Sequence, residues 1–295
     1  MDLTELEIFR AVAVEQSVTK AALKLERAQS NVTTRVKQLE ESLGVALFMR
    51  DSKRMALTPE GQRFLSYAER LLTLAEEAQQ SMRRDVPTGR LRIGAMEAAA
   101  ASRLPMPLGR FHAQWPAVDL EIKTGTTKGL IESVAEHQLD CAIVAHLSNT
   151  MPRNRDFHEL ASGVEGTYLF TEELVLLVPN SHKKVRRQAD VLIRSLAAFP
   201  RGCAYRECAL DWLNSDAGAA QREVQILEMP SYHAMLACVA AGAAVAVVPM
   251  SVLGQHTHLL DVHTIPVRKV HSFLVRRAGF TTTAFEAFLE ELHRT

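Results

Sequence analysis

The sequence predicts an α domain followed by an α/β domain. An N-terminal helical module with a small β-ribbon leads into one long helix, and a large two-part α/β domain closes the chain. Three observations predict this. The first sixty residues carry short helix-period stripes that end in a basic ribbon. Residues 59–84 hold one sustained apolar seam, and from Arg90 strand-like runs alternate with helical ones. A chain of 295 residues has length for two or three cores, and 47% hydrophobic with 23% charged residues is ordinary for a globular protein. Basic and acidic residues number 34 each, which argues against a chain that is nucleic-acid surface throughout.

Residues 4–7, Thr-Glu-Leu-Glu, have the capping-box form, and Leu6, Phe9, Ala13 and Val14 give a first helical stripe. Residues 17–26 read as a short second helix, with Ser17 as N-cap and Ala21, Ala22 and Leu25 facing inward. Arg27 and Ala28 leave room only for a tight turn. In the third helix, 28–43, Val32, Val36, Leu39 and Leu43 recur at i, i+4, i+7 and i+11. Its other face carries Gln29, Ser30, Asn31, Thr33, Thr34, Arg35 and Lys37 rather than Glu/Lys pairs. Amides read base edges in a major groove, and hydroxyls and bases hold phosphates. The alternative is an ordinary surface helix. Two short helices so connected fit a helix-turn-helix. Residues 49–58 read as a β-ribbon with Arg50, Lys53 and Arg54 about its tip, either a wing that reaches phosphates or a solvated loop. Over residues 20–54 bases exceed acids by four, whereas residues 1–19 are acidic, so the positive charge is confined to this unit.

These motifs resemble the LysR-type transcriptional regulators. The resemblance runs through Ser17-Val-Thr-Lys-Ala-Ala, Ala28-Gln-Ser-Asn-Val-Thr-Thr-Arg, Gln38-Leu-Glu, Leu43-Gly-Val-Ala-Leu-Phe and Leu57-Thr-Pro-Glu-Gly. Five motifs in order within about sixty residues are far more specific than any one alone. The resemblance implies a winged helix-turn-helix over residues 1–58 that binds double-stranded promoter DNA. It also implies a cytoplasmic homodimer, paired further into a dimer of dimers, that works with RNA polymerase. Ala28 and Ser30 depart from the family's usual Ser and Pro, which leaves the third helix without its side-chain cap, a loss of roughly 0.5–2 kcal/mol.

Thr58-Pro59-Glu60 starts the long helix with a cap, a proline in the first turn and an acid at the positive end. Phe64, Ala68, Leu71, Ala75, Ala78 and Met82 follow alternating spacings of four and three, an a/d seam. Such a seam packs on its own domain or on a second copy. Its place between a DNA-binding module and the linker 85–89, and the family resemblance, assign residues 59–87 to dimerisation and hinge.

From residue 90 the expected order is strand 91–95, helix 104–115, strand 118–123, helix 130–137 and strand 141–145. A second unit follows: strand 174–179, a strand near 202–205, helix 207–214, strand 224–227, helix 232–241 and strand 244–249. Strands 262–267 and 272–276 and helix 282–293 close the chain. Right-handed βαβ links give parallel, doubly wound sheets. The stretch 234–254 has no charge over twenty-one residues, yet Gly242 and Pro249 interrupt it, so it reads as buried helix, turn, strand and helix rather than a membrane span. Gly125-Thr-Thr-Lys-Gly-Leu, Leu139-Asp-Cys-Ala-Ile, Glu172-Glu-Leu-Val-Leu-Leu-Val-Pro and Ala240-Ala-Gly-Ala-Ala-Val-Ala-Val-Val-Pro resemble the LysR-type effector domain, with Ala244 in place of a common Gly. That implies an effector-binding domain over 88–295 of periplasmic-binding-protein type. Subdomain I spans about 90–162 and 268–295, and subdomain II about 163–267.

In open α/β sheets the ligand crevice lies beyond the strand C-termini. That selects Glu97, Ala98, Ala99, Thr126, Thr127, Cys203, Tyr205 and Ser231 as the effector contacts, with residues 145–149 nearby. Thr126 and Thr127 can equally be plain N-caps, Tyr205, Ser231 and Tyr232 can equally be cap or core residues, and Glu97 can cap its helix or pair with Arg103. Where the family presents hydroxyls after the first strand, this chain has Glu97 and four alanines. A carboxylate there repels an anion and attracts an amine. Residues 202–206 and 228–238 also resemble a branch that includes regulators of putrescine use. The alternative functions are a metabolite-binding protein or an α/β enzyme with an appended DNA-binding module, or a structural DNA protein. Cys203 with His233 is the material for a nucleophile and base, and His256, His258 and His263 for a metal site, but neither set has a recognised spacing. No cofactor, metal or catalytic residue is expected, and the four cysteines, free of any CxxC pair, read as small hydrophobes in a reducing cytosol.

Overall fold

A computed structural model describes residues 1–51, 54–82, 86–147, 156–215, 223–256 and 262–294, with the side chains of Arg50 and Asp51 left aside. The chain divides into two compact units, one from residues 1–84 and one from residues 85–135 and 139–295.

In the first unit α1 spans Leu3–Glu15, α2 Val18–Lys24 and α3 Gln29–Leu43. The box that starts α1 lies earlier than the 4–7 pattern implies. Asp2 is the N-cap, accepting from the Glu5 N–H, and Glu5 returns the bond to the Asp2 N–H. The helix therefore turns Leu6, Ile8, Phe9 and Val12 inward and leaves Val14 60% exposed rather than on the stripe. Ser17 caps α2 through the Lys20 N–H at 3.3 Å. The turn to α3 closes with Arg27 N–H on the Ala22 carbonyl at 2.9 Å. Ala28 indeed offers α3 no side-chain cap. Val32, Val36 and Leu39 are buried against Phe9, and Phe48 and Phe64 stand on Phe9 with ring centroids 5.3 and 5.2 Å away.

The ribbon is β1, Phe48–Asp51, antiparallel to β2, Arg54–Leu57. Its base is fixed by Glu40, whose Oε1 accepts the N–H groups of Leu47 and Phe48 at 2.8 and 3.1 Å. Thr58 Oγ1 donates to the Ala46 carbonyl at 2.8 Å and accepts from the Gly61 N–H, capping α4, Pro59–Ser81. Here the seam needs correcting. Ala68 is fully buried and Phe64 packs against the first unit's own core, together with Leu72. The exposed apolar stripe of α4 is instead Tyr67, Leu71, Leu74, Ala78 and Met82, with Ala75 half-buried beside it.

In the second unit the order is β3 Gly89–Ala95, α5 Glu97–Ser102, α6 Pro105–Gln114, β4 Val118–Thr124, α7 Thr127–Ala135 and β5 Cys141–His146. Then come β6 His158–Ala161, β7 Val164–Pro179, β8 Ser195–Ala198, α8 Ala204–Asn214, β9 Gln225–Glu228 and α9 Tyr232–Ala240. The unit ends with β10 Val245–Pro249, α10 Met250–His256, β11 Val262–Arg277 and α11 Thr283–His293. The described strands form one nine-stranded sheet in the order β4-β3-β5-β11-β7-β10-β8-β9, with β6 on β7. Its wings, β4-β3-β5 and β10-β8-β9, are parallel inside, and β7 and β11 run antiparallel between them. These two strands have sixteen residues each. The expected strands 262–267 and 272–276 are one strand, stepped where Pro266, which has no N–H to donate, sits at a register shift. The third strand of the second wing is 195–198, not 202–205, which forms a turn and the start of α8. The uncharged stretch 234–254 is the end of α9, a turn, β10 and the start of α10, and no described helix is long and apolar enough to cross a membrane.

Gly61 is the tightest point of the first unit. A methyl group on its Cα would run into the Leu47 carbonyl oxygen and carbon, which are backbone and cannot rotate away. Gly61→Ala should therefore destabilise the N-terminal unit by about 1–3 kcal/mol, the cost of overpacking, although alanine is the better helix former. Thermal unfolding followed by near-ultraviolet circular dichroism checks this, and a neutral or raised midpoint would contradict the packing described.

Candidate functional site

On the first unit, α3 presents Gln29, Ser30, Asn31, Thr33, Thr34 and Lys37 to solvent. The face is not uniform. Thr33 Oγ1 donates to the Gln29 carbonyl at 2.9 Å, so its hydroxyl is occupied locally. Lys37 reaches Glu41 at 3.7 Å, an exposed i,i+4 pair of little worth that a phosphate can displace. Arg35 is different. Its Nη1 lies 3.6 Å from both Asp2 Oδ2 and Glu5 Oε1, so the capping box of α1 also tethers the reading helix. Sequence reasoning missed that double duty because Asp2 stood outside the motif it recognised. Arg54 is exposed at the ribbon, whereas Lys53 and the Arg50 side chain lie outside the described residues. Exposed amides, hydroxyls and a base on α3, with exposed Arg54 on the ribbon, are the side-chain types that suit a groove floor and a phosphate backbone.

On the second unit a cavity of about 240 Å³ opens beyond the C-terminal ends of β3, β4, β8 and β9. Met96 and Glu97 follow β3, Thr124–Thr126 end β4 and its loop, Phe199, Pro200, Cys203 and Tyr205 follow β8, and Pro230 and Tyr232 follow β9. Both wings of the sheet therefore contribute to one cleft, as the crevice rule requires. Of the residues expected there, Glu97, Thr126, Cys203 and Tyr205 line it. Thr126 also caps α7 through the Gly129 N–H at 3.2 Å. Ala98 and Ala99 do not line it, because α5 turns both methyl groups into buried cores. Ser231 is the N-cap of α9, accepting from the Ala234 N–H at 3.3 Å. Thr127 donates to Met96 Sδ and faces a second, more open cavity of about 420 Å³ with Lys128, Glu132, His146 and Glu207. Pro230 and Tyr232 fall in the stretch expected after its strand, whereas Phe199 was not anticipated, since an aromatic residue at the end of a short strand reads as packing.

Glu97 is the chemical centre of the first cavity. It neither caps α5 nor pairs with Arg103, which bonds the buried Glu172 at 2.8 Å and stacks on Phe170. Its two oxygens accept the Tyr232 N–H at 3.3 and 3.2 Å, across the cleft. Among the described residues no Lys, Arg or His forms an ion pair with it. Burial raises its pKa above the ordinary value, and the Tyr232 bond only partly opposes that. Tyr205 is 3% exposed, and its buried hydroxyl faces that of Ser272. Burial, with the Glu172 charge behind it, pushes the Tyr205 phenol far up, so it stays a neutral donor. Burial also raises the Cys203 thiol and takes that of Cys208 up to about 11, the opposite of what a nucleophile needs. His258 lies outside the described residues, and among those described no three His, Cys, Asp or Glu side chains converge as a metal site.

Comparison with known proteins is consistent along the whole chain. Residues 3–62 match the model of the bacterial regulatory helix-turn-helix protein, lysR family, and residues 84–295 that of the LysR substrate binding domain. The HTH-type transcriptional regulator GltR of Bacillus subtilis (strain 168) is 32% identical over 302 residues, covering 99% of this chain and 96% of its own. The crystal structure of full-length CbnR complexed with its target DNA aligns at a TM-score of 0.66 with 25% identity, over 100% of this chain and 99% of that one. A full-length OxyR from Pseudomonas aeruginosa shares the fold at a TM-score of 0.70, with 24% identity over 99% and 94% of the two chains.

The raised pKa of Glu97 has a definite sign. Between its unfolded value near 4.5 and the higher folded value, the folded state binds more protons than the unfolded one. Stability tied to this group is thus present below that window and lost as pH rises through it. Glu97→Gln, which keeps an acceptor oxygen and cannot ionise, should gain in melting temperature over the wild type, and the gain should grow from pH 5 to pH 7.5. A gain that is flat or shrinks with pH would contradict the burial of an uncompensated carboxylate.

Proposed function

The chain belongs to the LysR family of bacterial helix-turn-helix transcriptional regulators, and from that membership we propose how its own residues divide the work. It is a DNA-binding regulator with a substrate-binding domain, and not an enzyme. In our reading Gln29, Ser30, Asn31 and Thr34 carry base preference in a major groove, with Thr33 shaping the helix start. Lys37, Arg54 and, by sequence position, Arg50 and Lys53 supply phosphate contacts, and Arg35 divides between phosphate and the α1 acids. The exposed stripe Tyr67, Leu71, Leu74, Ala78 and Met82 supports a homodimer through α4, which reads two half-sites about 10–10.5 bp apart or a multiple of that. Pairing of dimers into tetramers, contact with RNA polymerase and action in the cytoplasm belong to the same reading.

For the effector we propose a small amine or amino acid. One observation carries this: Glu97 is a half-buried carboxylate with no ionic partner among the described residues, in an otherwise largely apolar cavity. A ligand ammonium would supply the missing charge. A cavity of about 240 Å³ falls just below the roughly 300–1,000 Å³ of drug-sized sites, which suits a small metabolite. The likeness of residues 202–206 and 228–238 to regulators of putrescine use points the same way.

Three measurements test these assignments. Gln29→Ala should relax base preference at the specific site, whereas Arg54→Ala should weaken all sequences and flatten the salt slope by about one unit. Equal loss on specific and random DNA for Gln29→Ala would contradict the division. Leu71→Asp should dissociate the dimer in sedimentation and abolish cooperative promoter binding, and a variant that sediments as the wild type would move the dimer contact elsewhere. A thermal-shift screen of the full chain should find stabilisation by amines that Glu97→Gln loses. Stabilisation by dianions alone, undiminished in Glu97→Gln, would refute the amine reading.

A further inference from the structure

Helix α9 begins with the cap Ser231, whose Oγ takes the Ala234 N–H. The Tyr232 N–H at its first position is an end group that the helix itself cannot satisfy. A nine-residue helix also places partial positive charge there, a place where anions bind. In this chain the acceptor comes from the opposite wing of the sheet: Glu97, at the start of α5, lies 135 residues away in sequence. Both of its oxygens approach the one N–H, at 3.3 and 3.2 Å, a three-centre bond that seats the carboxylate on the helix end. Thr124 and Thr126, with side-chain hydroxyls, line the same cavity.

We propose that Glu97 is a tethered carboxylate ligand, filling from within the chain the anion position at the N-terminus of α9 and so determining which effectors the cleft admits. The proposal rests on the effector-cleft reading above and makes it sharper. A free carboxylate metabolite meets an occupied, negatively charged position and is rejected. An effector is admitted when it brings positive charge to the outer side of Glu97. The bond also joins the two wings of the sheet before any effector arrives.

Removal of the tether should expose the position. In the full chain, Glu97→Ala should lower the melting temperature and speed amide exchange in peptides that contain Tyr232. Sodium acetate at tens of millimolar, compared with sodium chloride at equal ionic strength, should restore both by at least half. The wild type should show no acetate-specific shift. Should Glu97→Ala fold poorly, recovery of folded protein in acetate but not chloride is the corresponding result. Glu97→Gln, which retains a neutral acceptor, supplies an independent reading: exchange at Tyr232 should be severalfold faster than in the wild type, with no acetate response. Glu97→Ala indifferent to acetate, a wild type that responds equally, or unchanged exchange in Glu97→Gln would each overturn the proposal. Acetate rescue of Glu97→Ala with no stabilisation of the wild type by 1,4-diaminobutane or amino acids would leave the tether standing and remove the amine effector.

Discussion

The regulatory unit depends on the antiparallel pairing of β7 with β11. Each strand is long enough to serve both wings of the sheet: the end of β11 carries β5, and the end of β7 carries β10. Backbone groups in the middle of a sheet must find partners, and here each strand satisfies the other through the crossing. The pairing therefore holds two parallel wings edge to edge with the C-terminal ends of β3, β4, β8 and β9 on one cleft. Buried Glu172 on β7, bonded to Arg103 at the end of α5, ties the first loop of the cleft to the same strand. Register shifts at Pro266/Arg268 and Ser272/Phe273 are the places where the long pair changes twist between its two tasks.

The consequence for function is geometric. A ligand that touches loops of both wings has different contacts when the cleft is open and when it is closed, and only that difference can move the equilibrium. Glu97 and Tyr232 are the pair through which this chain already makes such a contact. A carboxylate that is partly desolvated, bonded to one N–H and without a counter-charge is costly in the unliganded protein, and under the proposed reading a cationic effector would relieve that cost. The DNA-reading unit shows the same economy of parts. The Asp2–Glu5 box that starts α1 also holds Arg35 of the reading helix, and Glu40 of that helix holds the base of the ribbon.

Much of this was legible in the sequence. The stripes of α1–α3, the capped start at Thr58 and the strand–helix alternation are local patterns, and they placed most elements within a few residues. What failed did so for physical reasons. Helix α4 carries two apolar stripes, Phe64-Ala68-Leu72 and Tyr67-Leu71-Leu74-Ala78, and periodicity cannot say which one faces the chain's own core. The strand Ser195-Leu-Ala-Ala is short and poor in β-branched residues, so the more conspicuous 202–205 took its place. The front half of β7 mixes Glu165, Thr167, Thr171 and Glu172 with aromatics, because it is stabilised by pairing with β11 rather than by an apolar face. Strand ends pointed to Glu97, Thr126, Cys203 and Tyr205, which do line one cavity, while the helical rotation that turns Ala98 and Ala99 into the core is set by packing. The Glu97–Tyr232 bond joins residues distant in the chain, and nothing local announces it.

The account stands or falls on the state of one carboxyl group. Selective ¹³C labelling of glutamate side chains, with Glu97 assigned by its Gln variant, would follow its titration directly by nuclear magnetic resonance. The account predicts that in the unliganded full chain the Glu97 carboxyl titrates above the ordinary glutamate value, and that an amine effector at saturation moves the transition down. A Glu97 that titrates at or below the ordinary value without ligand would mean that its charge is already compensated, and the electrostatic basis for effector selection proposed here would be contradicted.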